Sequence, residues 1–159
     1  MSKGIIGVIG GNKCSREIYR LAYEVGREIA RRGYDLVCGG LGGVMLAASR
    51  GAFEAGGLTI GILPGKMKDE KNPYIRIPIV TAMSHARNAI IARTSDVLIA
   101  VDGRYGTLSE IALSFCVEKR VIGLEVEFDM PGIIRAKSPV EAVDLAEKAL
   151  RSTASNVKR

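Results

Sequence analysis

The chain alternates between two kinds of segment: short, nearly unbroken apolar runs, and longer stretches whose apolar residues recur at helical spacing. The runs are Gly4 to Ile9, Asp35 to Cys38, Leu58 to Leu63, Arg76 to Val80, Val97 to Val101, Val121 to Leu124 and Ile133 to Ala136. A strand with one wet face alternates apolar and polar side chains. These runs do not, so they predict strands covered on both faces. Such strands, separated by helices, give an α/β fold: an open doubly wound parallel sheet of about six or seven strands with helices on both faces. Residues 1–151 read as one domain and 152–159 as a basic C-terminal tail.

The helix ends are also written locally. Ser15 predicts an N-cap for a helix running to about Arg32, with Ile18, Leu21, Ala22, Val25 and Ile29 on one face and Gly33 as its stop. A second helix runs from Val44 through Met45, Ala48 and Phe53 to Gly56-Gly57. Ser84 is expected to cap a third, packed through Ala86, Ala89, Ile90 and Ala92. A fourth, from Leu108, is expected to bury Ile111, Ala112 and Phe115. Ser138-Pro139-Val140-Glu141 combines an N-cap, a first-position proline and an acid three residues after the cap, opening a last helix that ends near Leu150. Pro78 marks Arg76 to Val80 as an irregular or edge strand. Lys66 to Tyr74 reads as an exposed loop and a candidate for mobility.

In sheets of this kind ligands bind beyond the carboxyl ends of the strands, near the switch in strand order. Four loops are placed to meet there: Gly10 to Ser15, Gly39 to Gly43, Pro64 onwards, and Asp102 to Thr107. A glycine-containing turn that opens a helix presents unpaired N–H groups and the positive end of the helix dipole, which favours an anion. The stretch from Ser84 to Glu110 concentrates these features and predicts a phosphate-bearing ligand. Structural alternatives stand beside each residue. The glycines also serve tight turns and close packing. Asn12 and Ser15 also serve as helix caps, and Asp102 as a turn former. Thr107-x-x-Glu110 matches a capping box, in which Glu110 bonds the backbone of Thr107. Arg87 also fits a solvated or ion-paired arginine.

Composition narrows the classes. The net charge is +6, yet no run of five basic residues occurs and only 5% of residues are aromatic, so nucleic acid is an unlikely partner and small phosphates a better one. Cys14, Cys38 and Cys116 are odd in number and widely spaced, which suits a reducing cytoplasm rather than a disulfide framework or zinc site. Cys14 lies near a helix start that would stabilise a thiolate, but no base is evident beside it. His85 is the single histidine, so no histidine-based metal cluster or triad is expected. No targeting segment or membrane-spanning apolar run is read, and no cofactor is required.

Gly39-Gly40-Leu41-Gly42-Gly43-Val44-Met45, Arg87-Asn88 and Gly106-Thr107-Leu108-Ser109-Glu110 carry a closer likeness. On these residues the chain resembles the LOG-type family, formerly labelled lysine decarboxylase-like. That family belongs to the Rossmann-like nucleotide-binding group that also includes DprA, and the resemblance covers nearly the whole chain. Its second motif is Pro-Gly-Gly-x-Gly-Thr-x-x-Glu. The resemblance implies a Rossmann-like fold, a homodimer or higher homo-oligomer, and cleavage of a nucleoside 5′-monophosphate to free base and ribose 5-phosphate. It places the catalytic pair at Arg87 and Glu110. Together with the loops that meet at the strand edge, the candidate ligand contacts are Gly10, Gly11, Asn12, Ser15, Gly40, Leu41, Gly42, Gly43, Asp102, Gly103, Arg104, Tyr105, Gly106 and Thr107.

The chain departs from the pattern at Asp102, where the motif has Pro, and at Arg104, where it has Gly. The family helix carries Met-His-x-Arg-Lys, whereas this chain has Ser84-His85-Ala86-Arg87-Asn88. That form looks closer to a subgroup including molybdenum-cofactor carrier proteins. Three functions therefore follow as expectations: nucleotide binding with phosphoribohydrolase activity, carriage of a phosphorylated cofactor without turnover, and, ranked last, DprA-like nucleic-acid binding.

Overall fold

A computed structural model describes residues 1–157. Its elements are β1 (Ile5–Gly10), α1 (Arg16–Arg31), β2 (Asp35–Cys38), α2 (Gly43–Glu54), β3 (Thr59–Leu63), β4 (Ile77–Val80), α3 (Asn88–Thr94), β5 (Val97–Val101), α4 (Tyr105–Cys116), β6 (Val121–Leu124), β7 (Ile134–Ala136) and α5 (Pro139–Val157). Two 3₁₀ turns, Lys68–Glu70 and Ser84–Arg87, sit in the connections flanking β4. The seven strands form one sheet in the order β4-β3-β2-β1-β5-β6-β7, and every pair is parallel. The chain builds outwards from β1 to β4, then returns to lay β5 on the other side of β1. The switch in strand order therefore lies between β1 and β5, in register from Ile6 opposite Val97 to Gly10 opposite Val101.

Two apolar layers sandwich the sheet. On one face Val8, Leu36, Ile99 and Ile122 pack against Val25 and Ile29 of α1, Ala48 of α2 and Val143 of α5. On the other, Ile9, Val37, Ile62 and Leu98 meet Ile91 of α3 and Ile111 of α4. The unbroken apolar runs follow from this double burial. Helices α1 and α2 approach at glycines: a Cβ on Gly26 would lie 1.9 Å from the Ala48 carbonyl oxygen, and one on Gly51 would lie 2.0 Å from that of Tyr23. No helix among the described residues is long and apolar enough to cross a membrane.

Several local expectations change. Ser84 caps nothing; it has φ +52° and lies inside the 3₁₀ turn, so α3 begins only at Asn88. Ala86 is therefore exposed, and Arg87, Asn88, Ile91 and Ala92 face inwards. Helix α4 starts at Tyr105, three residues earlier than expected; Ile111 is buried as expected, but Ala112 faces solvent, Phe115 is half-buried, and Glu110 and Ser114 face inwards. Asn72 pins the Lys66 to Tyr74 loop and is itself buried: its N–H donates to the Gly40 carbonyl at 2.8 Å and its Nδ2 to that of Leu41 at 3.0 Å. Helix α5 continues past Leu150 to Val157, and residues 158–159 of the expected tail lie outside the described residues. Its start follows expectation, with Ser138 Oγ accepting from the Glu141 N–H at 3.2 Å.

Candidate functional site

At the switch point the carboxyl ends of β1, β2, β3 and β5 open into a cleft of about 770 Å³. All four loops that follow these strands contribute to its wall, as does the turn before α3. Of the residues singled out from sequence, Gly10, Gly11, Asn12, Ser15, Leu41, Arg87, Asp102, Gly103, Arg104, Gly106, Thr107 and Glu110 line it.

Gly40, Gly42, Gly43 and Tyr105 do not. Gly40 is buried with φ +77°, and a Cβ there would strike Leu63. The Gly42 N–H donates to Asn12 Oδ1 at 2.8 Å, and the Val44 N–H donates to the Gly11 carbonyl at 2.9 Å. The second glycine turn is thus closed against the first loop, and its role here is packing. Tyr105 points to solvent, 86% exposed. Ser15 Oγ accepts from the Ile18 N–H at 3.2 Å and serves as the α1 cap.

The wall from β5 to α4 is shaped by backbone. Asp102 and Gly103 have φ of +52° and +117°, so the chain reverses sharply before α4. A Cβ on Gly103 would lie 2.3 Å from Thr107 Oγ1, whereas one on Gly106 would meet nothing within 4 Å. Arg104 occupies the N-cap but makes no side-chain cap bond, and the first turn holds no acid. The N–H groups there have no intrahelical acceptor, and Gly106 presents backbone with no side chain in front of it.

The floor holds Arg87 and Glu110, only 6% and 7% exposed. Arg87 Nε donates to the Ile62 carbonyl at 2.7 Å, Nη2 to that of Gly39 at 3.4 Å, and Nη1 to Asn88 Oδ1. The arginine is thus moored to the ends of β2 and β3. Burial lowers its pKa, with the negative charge of Glu110 acting in the opposite sense. The capping box does not form, because Thr107 lies inside α4. The Glu110 carboxyl receives no hydrogen bond from the described residues. Burial pushes its pKa from the ordinary 4.5 up to about 8, against the pull of Arg87. That shift favours the protonated carboxyl over the carboxylate.

Cys14 lines the cleft, and burial together with the Asp102 charge raises its pKa. It therefore stays a thiol, contrary to a stabilised thiolate at the α1 start. Burial holds Cys38, beneath Arg87, up to about 12. Among the described residues no three His, Cys, Asp or Glu side chains group as a metal site.

A family model for the SLOG cluster4 family matches residues 3–154. The chain belongs to the SLOG cluster4 family. The SLOG cluster4 assignment agrees with the LOG-type resemblance carried by Arg87-Asn88 and Gly106 to Glu110. A protein of Archaeoglobus fulgidus is 50% identical over 87% of this chain and 91% of its own length. The cytokinin riboside 5′-monophosphate phosphoribohydrolase LOG5 of Arabidopsis thaliana is 37% identical, over 64% of this chain and 46% of that protein. The chain thus spans less than half the length of that plant enzyme. The structure of the molybdenum cofactor binding protein of Rippkaea orientalis superposes with a TM-score of 0.88 at 38% identity, over 93% of this chain and 98% of that one.

This SLOG cluster4 chain also brings to the cleft residues that sequence reasoning did not select as ligand contacts: Lys13, Met45, Pro64, Ser84, His85 and Asn88. Ser84 and His85 arrive because the connection after β4 folds over Pro64 and Gly65. The Ser84 N–H donates to the Pro64 carbonyl at 2.9 Å, and that of Ala82 to Gly65 at 2.8 Å. Asn88 carried a signal, its place directly after Arg87, but a helix-start reading had no reason to bury an amide.

Proposed function

We propose that this cleft binds a nucleotide or another phosphate-bearing ligand, and that Arg87 and Glu110 cleave the N-glycosidic bond of a nucleoside 5′-monophosphate. The observation that carries this reading is a moored guanidinium and an unpartnered buried carboxyl on one cleft floor, beside the open first turn of α4. The α4 N–H groups and Arg87 hold the phosphate. Glu110 donates its proton to the base nitrogen as the C1′–N bond breaks and its electron pair leaves with the base. The carboxylate so formed stabilises positive charge at C1′ and takes a proton from the attacking water. The balance is nucleoside monophosphate plus water giving base plus ribose 5-phosphate. The LOG5 likeness supports this reading through the motif residues both chains are expected to share.

A second reading is carriage of a phosphorylated cofactor such as molybdenum cofactor. Two observations favour it. The likeness to the Rippkaea orientalis protein takes in 98% of that chain, and Asp102 and Arg104 stand where the LOG-type motif has Pro and Gly. In either case the protein is read as a cytoplasmic homodimer or higher homo-oligomer. Its three free cysteines, and the exposure of Ile77, Ile79 and Val80 on edge strand β4 and of Met83 beyond it, support that reading.

A thermal-shift panel of nucleoside monophosphates, ribose 5-phosphate and molybdopterin-like ligands, followed by chromatography for released base, tests the two readings. Stabilisation with base release that is lost in Glu110→Gln supports the hydrolase. Stabilisation without release supports the carrier. Hydrolysis that survives in Glu110→Gln removes Glu110 from the mechanism.

A further inference from the structure

Arg87 and Glu110 are buried together with opposite formal charge, yet no ion pair joins them. Arg27, Arg32 and Arg50 each hold a carboxylate in an ion pair, whereas Arg87 holds none with Glu110. An ionised carboxylate would attract that guanidinium strongly on a poorly solvated floor, so an unpaired Glu110 requires the guanidinium to be held elsewhere. Two backbone carbonyls take Nε and Nη2 of Arg87, and Asn88 takes Nη1.

Asn88 is itself fixed. It is 2% exposed, and its Nδ2 donates to Ser109 Oγ at 3.0 Å. The Ser109 hydroxyl donates in turn to the Gly106 carbonyl at 2.7 Å. The donors thus run one way, from Arg87 through Asn88 and Ser109 to the first turn of α4. Hydrogen bonds aligned in this way strengthen one another. Ser109 directly precedes Glu110, so the same relay ties the helix carrying the carboxyl to the turn carrying the arginine.

We propose that Asn88 is the positioning residue of this site: it holds the Arg87 guanidinium away from Glu110, leaving the arginine for an anionic ligand and the carboxyl free. The ligand half rests on the cleft being a phosphate site; the geometric half does not. An amide suits the position because it accepts from Arg87 and donates to Ser109 at once. Lysine, which the LOG-type pattern carries there, has donors only. The ionisable groups coupled to Glu110 are Arg87, from the turn before α3, and the Cys38 thiol, from β2, while Lys13, His85, Asp102 and Arg104 line the same cleft. The proton affinity of Glu110 therefore reports where the Arg87 charge sits.

The test is a carbon-13 NMR titration of the Glu110 carboxyl in the full-length protein and in Asn88→Leu, Asn88→Asp and Ser109→Ala. Leucine keeps the branched shape and the number of side-chain heavy atoms and excludes water, but offers no acceptor. The guanidinium then closes on Glu110, and the carboxyl's proton affinity falls at least tenfold, one pKa unit. Aspartate keeps the acceptor, and no such fall is expected. Ser109→Ala loosens the Asn88 amide and moves Glu110 in the leucine direction by less. It also serves as the deciding variant if Asn88→Leu does not fold. Unchanged or raised proton affinity in both Asn88→Leu and Ser109→Ala overturns the proposal, as does an equal fall in Asn88→Asp. Calorimetric titration with AMP is run in parallel, with at least fivefold weaker binding expected for Asn88→Leu. Failure of AMP and inorganic phosphate to bind the wild-type protein sinks the ligand reading, while the carboxyl titration still decides the role of Asn88.

Discussion

Glu110 shows how far burial moves an ordinary carboxyl. Between its unfolded value of 4.5 and about 8, the folded protein holds a proton that the unfolded chain has released. Stability therefore falls with rising pH across that window on account of this group, and the contribution levels off above it. Glu110→Gln removes the fall. Denaturant unfolding at pH 5 and pH 8 is expected to show a smaller difference for the variant than for the wild type. Deprotonation also places a negative charge beside the proposed anion seat, so affinity for AMP is expected to drop as the pH passes about 8. Gly106 tests the seat from the other side. Its Cβ direction is open and its φ is ordinary, so Gly106→Ala is tolerated by the fold and raises helix propensity by about 1 kcal/mol. The added methyl stands before the first-turn N–H groups. Unchanged or higher Tm with at least tenfold weaker phosphate-ligand binding is the expected result, read by scanning calorimetry and titration.

Among the elements, the connection between β3 and β4 behaves least like its composition. Its lysines and acids suggest a solvated loop, but Asn72 anchors it to the glycine turn after β2. Besides its two donations to Gly40 and Leu41, Asn72 Oδ1 accepts from Ser49 Oγ at 3.1 Å and from the Tyr74 N–H at 3.0 Å. Asn72→Ala strands several of these buried groups and is expected to cost about 1–3 kcal/mol. Faster hydrogen exchange confined to residues 66–74 and to the turn at 39–42 would mark the anchor. Exchange unchanged there would show that the loop is held by something else. Helix α4 makes the complementary case. Asp102 and Gly103 adopt positive φ, and the helix starts early enough to carry Thr107 and Glu110 inwards; a start at Leu108 would have allowed the capping box and an exposed carboxyl.

At the scale of the whole molecule, β4 leaves one end of the sheet uncovered. Ile77 and Ile79 lie opposite Ile60 and Ile62 of β3, so they share the face that α3 and α4 cover nearer the centre. They are 45% and 42% exposed. If this face joins copies of the chain, Ile79→Lys is expected to reduce the mass measured by light scattering to that of the monomer while leaving the circular dichroism spectrum unchanged. An unaltered mass would place the interface elsewhere. The alternation of apolar runs with helical stretches was enough to determine a doubly wound parallel sheet and all seven of its strands to within about one residue, because burial on both faces leaves an unambiguous pattern in the chain. The meeting of the four loops was legible too, since strand ends in such sheets share one edge. The tertiary structure alone decided which glycines face the cleft and which are sealed in packing, where α4 begins, and that Asn88 lies between Arg87 and Ser109. Those outcomes depend on contacts between segments far apart in sequence, such as Asn12 with Gly42 and Arg87 with Ile62. No local periodicity or capping rule encodes such contacts.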